Sequence, residues 1–184
     1  MKEYLTTYTK VPFNTFDPDE DKIDIKDIAH ALSMMTRANG HYSEFFSVGQ
    51  HSVQCCKEAM KRNYVPEIAL ACLLHDASEA YLADITRPVK KNMTMYLQIE
   101  EQLQNLIYSK YLDFIPRGEQ QMLIQKIDDA CLYYEFKYYM DEELFPVAPV
   151  LMSDFTYEFQ PMKEVEAEFL ELFETLNRRI RGNS

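Results

Sequence analysis

A chain of 184 residues is long enough to bury a proper core and is the size of one domain. Its net charge of −11 argues against a general affinity for DNA or RNA, though not against a small phosphorylated ligand held by a few local cations. Four Gly, no Trp, thirteen Tyr and ten Met, among stretches rich in Glu, Leu, Lys and Gln, lean towards helix. The amino-terminal MKEYLTTYTK lacks the apolar run of a signal peptide, and no stretch approaches the roughly 20 apolar residues of a membrane span. A soluble, cytoplasmic protein without a membrane partner is therefore expected. Cys55 and Cys56 are adjacent, Cys72 and Cys131 sit in helical apolar patterns, and there is no CxxC, so reduced, buried thiols are expected.

Residues 1–23, with Pro12, Pro18 and DPDED, read as an irregular lead-in holding a short strand around Thr6–Val11. Asp24 can cap a first helix over 25–37, with Ile25, Ile28, Leu32 and Met35 inward, broken at Asn39-Gly40. A second helix is expected over 48–63, with Val48, Val53, Cys55, Cys56, Ala59 and Met60 on its inner side. Pro66 opens a third, over 66–83, on whose apolar stripe (Ile68, Ala71, Cys72, Leu82) fall His75 and Glu79. The loop DITRPVKKN then carries Arg87, Lys90 and Lys91, a local reversal of charge in an acidic chain. A fourth helix is expected over 94–112, inner side Leu97, Leu103, Ile107 and Leu112. A fifth follows over 118–142, inner side Met122, Leu123, Ile127, Leu132 and Tyr134, with Asp128 and Asp129 interrupting it. Residues 142–160 form a long loop beside a pocket or a subunit contact, and a helix over 162–181 closes the fold. The expected architecture is an all-α, single-domain bundle of about six helices, with a core over 24–142 and a closing loop and helix over 143–184.

Burying His75, Asp76 and Glu79 without partners would cost several kcal/mol, roughly, and a divalent metal ion is an economical compensation. His51, His75, Asp76 and an Asp of the fifth helix would supply four N/O ligands from three helices. A lone His on an apolar face is more often a core histidine, but the set together is harder to explain that way.

The strings DIAHALSMMTRANGHYSEFFSVGQHS, LLHDASEAYLADITRPVK and IQKIDDACLYYE, spanning about 24–135, resemble the HD-domain metal-dependent phosphohydrolases. They are most similar to the branch of small 5′-deoxynucleotidases and phage dATP triphosphohydrolases. The resemblance implies the HD-domain fold and metal ligands at His51, His75, Asp76 and a late Asp. Asp128 fits the family's spacing to Glu135, and Asp129 fits the spacing to Lys126; Asp128 is favoured and Asp129 is its rival. It further implies Glu79 in proton transfer, with holding His75 as the alternative, and Arg37 on phosphate, with a surface salt bridge as the alternative. Asp84 would hold a sugar hydroxyl, and Arg87 and Lys90 would reach phosphates, with Lys91 facing water. Ala38 departs from the branch's usual aromatic, leaving Tyr42, Phe45 or Phe46 as substitutes. His30 reads as a packing histidine and His41 as a pocket residue.

The expected activity is hydrolysis of a (deoxy)nucleotide, water attacking the 5′-linked phosphorus, with a dNTP, dATP first, as substrate. A 5′-deoxynucleotidase on dNMPs and a regulatory nucleotide-binding module without turnover are the alternatives. A His2Asp2 set admits Mn, Co, Zn, Fe or Ni, with room for Mg on the substrate phosphates. The aromatic runs LYYEFKYYM and DFTYEF suggest a homo-oligomer.

Overall fold

The computed structural model describes residues 4–182; the first three residues of the lead-in and the last two of the closing segment lie outside the described residues. The lead-in holds an antiparallel hairpin, β1 (Leu5–Thr6) on β2 (Pro12–Phe13), with Leu5 opposite Phe13. The strand expected over Thr6–Val11 is instead mostly the turn of this hairpin, where Lys10 takes a φ of 71°. Asp27 pins the hairpin to the body by accepting the Thr9 N–H (2.7 Å) and hydroxyl (2.9 Å).

Asp24 caps α1 (Ile25–Met34), accepting the Lys26 N–H at 2.8 Å. The helix ends three residues earlier than the sequence suggests because the next segment pairs elsewhere. Arg37 N–H donates to the Phe46 carbonyl and Val48 N–H to the Met35 carbonyl, clasping residues 35–37 against 46–48. Between them Ala38, Asn39 and Gly40 all take positive φ and reverse the chain. Ser47 then caps α2 (Val48–Lys61) through the Gln50 N–H, and Gly49 sets how closely α2 approaches α1. A Cβ there would lie 2.9 Å from the Ser33 backbone nitrogen, so only glycine fits.

The helix α3 (Pro66–Leu74) is apolar all round and sits at the centre, with Ile68 through Leu74 all buried. The sequence predicts one helix from Pro66 to Ala83, and this is the largest departure. After Leu74 the chain leaves the α-helix, and Ala77–Tyr81 forms a 3-10 turn. The cause comes from outside. Gln104 donates to the Leu74 carbonyl (2.8 Å) and accepts the Ser78 N–H (3.0 Å), replacing with its amide the bond those two groups would make in a helix. His75 and Asp76 lie in the opening.

The expected DITRPVKKN loop contains a single turn, α4 (Arg87–Lys90), which brings the helix count to seven among the described residues. The long helices α5 (Thr94–Leu112), α6 (Glu119–Met140) and α7 (Met162–Gly182) follow. Helix makes up 61% of the structure, so the all-α, single-domain expectation holds apart from the hairpin. Two expected inner positions are outside: Met122 is 66% and Leu97 37% exposed. The stripe of α6 that reaches the core is Ile124, Ile127 and Cys131, and that of α5 is Leu103 and Ile107, both out of phase with those residues. His30 packs as expected, stacked on Tyr8 and bonded to Glu166 of α7 at 3.0 Å. No described helix is long and apolar enough to cross a membrane.

The 142–160 segment returns along α2, held by a polar stripe at four-residue spacing. Gln50 and Gln54 donate to the Glu158 and Thr156 carbonyls, and Glu58 accepts the Met152 and Ser153 N–H groups, both at 2.9 Å. Glu58 is fully buried, and Arg62 completes its shell at 2.7 Å. Burial opposes ionisation, but these donors outweigh it and hold its carboxyl below the ordinary value. A depressed carboxyl stabilises fully above its unfolded pKa of about 4.3 and loses that contribution as pH falls through its folded value. Glu58→Gln is expected to destabilise the protein at pH 7 by about 1–3 kcal/mol, with the gap to the parent closing below about pH 4. Urea denaturation at both pH values checks this.

Candidate metal centre

His51 lies one turn into α2, His75 and Asp76 in the opening after α3, and Asp128 in the middle of α6. The helices bring all four together. His51 Nε2 is 3.2 Å from His75 Nε2, 3.1 Å from Asp128 Oδ1 and 3.9 Å from Asp76 Oδ2. His75 Nε2 is 3.2 Å from Asp76 Oδ2 and 3.7 Å from Asp128 Oδ1. Donors at about 2.0–2.2 Å from one tetrahedral or octahedral ion are about 3–3.5 Å apart, so these spacings suit a shared cation.

The other face of each imidazole settles its tautomer. His51 Nδ1–H donates to Glu135 Oε1 at 2.5 Å, and His75 Nδ1–H donates to the Cys72 carbonyl at 2.8 Å. Both Nε2 lone pairs therefore point at each other and at two carboxylates. Acceptors arranged this way repel unless positive charge sits among them. Burial and Arg37 oppose charge on His51, but Glu135 and Asp128 prevail and its pKa is pushed up to about 9. His75 is raised well above its ordinary value, Asp76 and Asp128 overcoming burial. Burial also works against both carboxylates, yet the histidines hold Asp76 and Asp128 low.

His51, His75 and Cys55 also cluster within 4.8 Å. The Cys55 Sγ, however, is 3.5 Å from His51 Nε2 and 4.0 Å from Nδ1, which sets it against the ring face. A sulfur sharing an ion with Nε2 would lie about 5 Å from Nδ1, given metal–N and metal–S bonds of about 2.1 and 2.3 Å. The two carboxylates, not the thiol, complete the donor set.

Asp129, the rival for the fourth position, lines a separate cleft with Met122 and Gln125; it shares Arg87 (3.3 Å) and Gln125 (3.0 Å) with the outer oxygen of Asp128. Glu79 is buried in the 3-10 turn; Lys90 reaches its Oε1 at 3.4 Å and its Oε2 has no partner. Burial pushes its carboxyl well up, and Asp76 and Asp84 add to that. Arg37 is buried rather than on the surface, donating to Glu135 (3.1 Å) and Asp76 (3.4 Å). Arg87 bridges Asp128 (2.9 Å) and Asp129 at the exposed mouth, and Lys90 bonds Glu100 at 2.7 Å. Lys91 is exposed. All five of Arg37, Glu79, Asp84, Arg87 and Lys90 line, with Asp76 and Asp128, a pocket of about 480 Å³. That volume is ordinary for a small-molecule site. His41 is exposed and is not among the lining residues, contrary to expectation, whereas Tyr42 is; Phe46 packs beneath Tyr139 and Phe45 against Phe159.

Three cations on this wall face five acids, counting Asp76, Glu79, Asp84, Asp128 and Glu142. Two roles escape the sequence reading, in which Glu135 serves only as a spacing mark and Gln104 not at all. Glu135, fully buried, joins His51, Arg37 and the Tyr42 hydroxyl (3.3 Å). A glutamate amid the aromatic run CLYYEF, two turns after Asp128, was its signal. Gln104 had none, since its partners lie about thirty residues away.

No family model matches the chain. It is similar to the uncharacterized protein YfdR of Escherichia coli, 38% identical over 109 residues, which span 59% of this chain and 58% of that protein. It is also similar to the uncharacterized protein RCAP_rcc00048 of Rhodobacter capsulatus, 28% identical over 181 residues, 90% of this chain and 91% of that protein.

Proposed function

We propose that the chain is an HD-domain-type, metal-dependent phosphohydrolase that cleaves nucleotides at the 5′-linked phosphorus. The observation carrying this reading is the convergence of two Nε2 lone pairs and two carboxylate oxygens, tautomers fixed by Glu135 and the Cys72 carbonyl, at the floor of a pocket. His51, His75, Asp76 and Asp128 would hold a divalent transition ion. Such an ion, when bound, withdraws charge from a phosphoryl oxygen and makes water a nucleophile near neutral pH.

The protein's own groups have separable tasks. Glu79 accepts the proton of the attacking water, and the burial that raises its pKa lets it keep that proton and return it to the leaving 5′ oxygen. Lys90 limits how far that rise goes. Arg37 offers its guanidinium to a phosphoryl oxygen while Glu135 and Asp76 keep it oriented. Asp84 accepts a hydrogen bond from a sugar hydroxyl. Arg87 exchanges its acidic partners for an outer phosphate at the mouth.

The dNTP reading, dATP first, follows the family resemblance. The wall's charges favour the second reading, a 5′-deoxynucleotidase: Lys90 is already held by Glu100 and Glu79, and Arg87 by Asp128 and Asp129, which leaves little cation for three phosphates. Both cleavages use one centre. The test is product separation after incubation with each dNTP, dNMP and ribonucleotide under Mn, Co, Zn or Mg. Nucleoside with triphosphate, or nucleoside with inorganic phosphate, is the expected product. A nucleoside diphosphate would place cleavage elsewhere and reject the reading; silence under every metal would favour a binding module.

A further inference from the structure

One face of α6 runs the length of the pocket. Asp128, Leu132 and Phe136 all line it, at four-residue spacing, so the wall passes from a carboxylate of the metal set to an aromatic ring over about 12 Å. That span is comparable with a nucleotide from its 5′ phosphorus to the far side of its base. The far end is apolar and aromatic. Phe136 is half-buried, backed edge-on by the buried ring of Tyr42 at 5.6 Å, and Leu132, Leu144 and Phe145 line the pocket with it. A heterocycle suits this apolar surface.

Glu142 is the charged residue of this end. Its backbone N–H reaches the Phe136 carbonyl at 3.4 Å just past the end of α6, and its exposed side chain lines the same pocket. An ionised carboxylate only accepts hydrogen bonds. Adenine, cytosine and guanine each present an exocyclic amine to such an acceptor. Thymine presents one N–H flanked by two carbonyl oxygens, which repel it.

Resting on the proposed nucleotide reading, we infer that Glu142 selects amine-bearing bases at the aromatic end of the pocket and disfavours thymine. The test is calorimetric titration of the parent and of Glu142→Gln with the four deoxynucleosides, alongside kcat/KM for the four deoxynucleotides. In the parent, thymidine and its nucleotides are expected about five- to tenfold below the other three, the worth of a solvent-edge base contact. In Glu142→Gln, whose amide both donates and accepts, the gap should shrink to about twofold. Equal binding of all four by the parent, an unchanged gap in the variant, or binding of none overturns the inference. Ranked nucleoside binding without turnover would sink the phosphohydrolase reading and leave this one standing; turnover without ranking would do the reverse.

Discussion

Asp128→Asn is expected to abolish turnover and to weaken metal binding by at least about 100-fold, while Asp129→Asn leaves both within about twofold of the parent. Neighbouring acids on one helix make this a sharp contrast. Asp128 Oδ1 lies 3.1 Å from His51 Nε2, inside the donor set, and supplies one of its two ionised oxygens. Asp129 lines a separate cleft with Met122 and Gln125, and its partners, Arg87 and Gln125, reach only the second oxygen of Asp128, away from the histidines. Outer partners of metal ligands are commonly worth about 10- to 100-fold in affinity, so a ligand itself should exceed that range. Competition with a chromophoric chelator measures the affinity, and nucleoside release measures turnover. Parent-like binding by Asp128→Asn would remove the carboxylate from the centre.

Glu135→Gln should show its effect even without metal. The carboxylate is fully buried and receives donors from His51, Arg37 and Tyr42 at once. Burial opposes its charge, yet His51 and Arg37 overcome it and keep its pKa low. An amide keeps the shape but loses the charge and turns one oxygen into a donor facing other donors. Arg37 is then a buried cation with a weakened partner. Loss of about 3–5 kcal/mol is expected for the chelated, metal-free protein, as for other broken buried pairs. Metal affinity should also fall, by about 10- to 100-fold, because the His51 tautomer is no longer enforced. Urea midpoints in the presence of a chelator, followed by metal titration, separate the two effects. An unchanged midpoint would show that Glu135 contributes little to the fold.

What was legible in the chain was whatever its chemistry states locally. The Asp24 cap, Pro66 at a helix start and the stripes of α1, α2 and α7 depend on neighbours within a turn or two. His51, His75 and Asp76 stood out because polar groups interrupted apolar patterns. The break after Leu74 was not legible, because its cause is a glutamine on α5 that replaces one backbone bond. The end of α1 was overestimated for a similar reason: residues 35–37 find partners at 46–48, across a reversal whose positive φ angles only Asn39-Gly40 announce. The choice between Asp128 and Asp129 turned on which side of α6 faces α2 and α3, which periodicity blurred by the misplaced Met122 could not decide.

Cys55, Cys56, Cys72 and Cys131 are all buried and unbridged. Only a thiolate attacks an alkylating reagent, and burial pushes Cys55 and Cys72 well up and Cys56 to about 12. In the closed protein these sulfurs are chemically silent. Each reacts when the packing around it opens, so the pace of labelling keeps time for the interior. Cys55 stands against the face of His51 and Cys131 one turn beyond Asp128. The chain therefore carries its own stopwatch, set beside the very residues whose opening it would time.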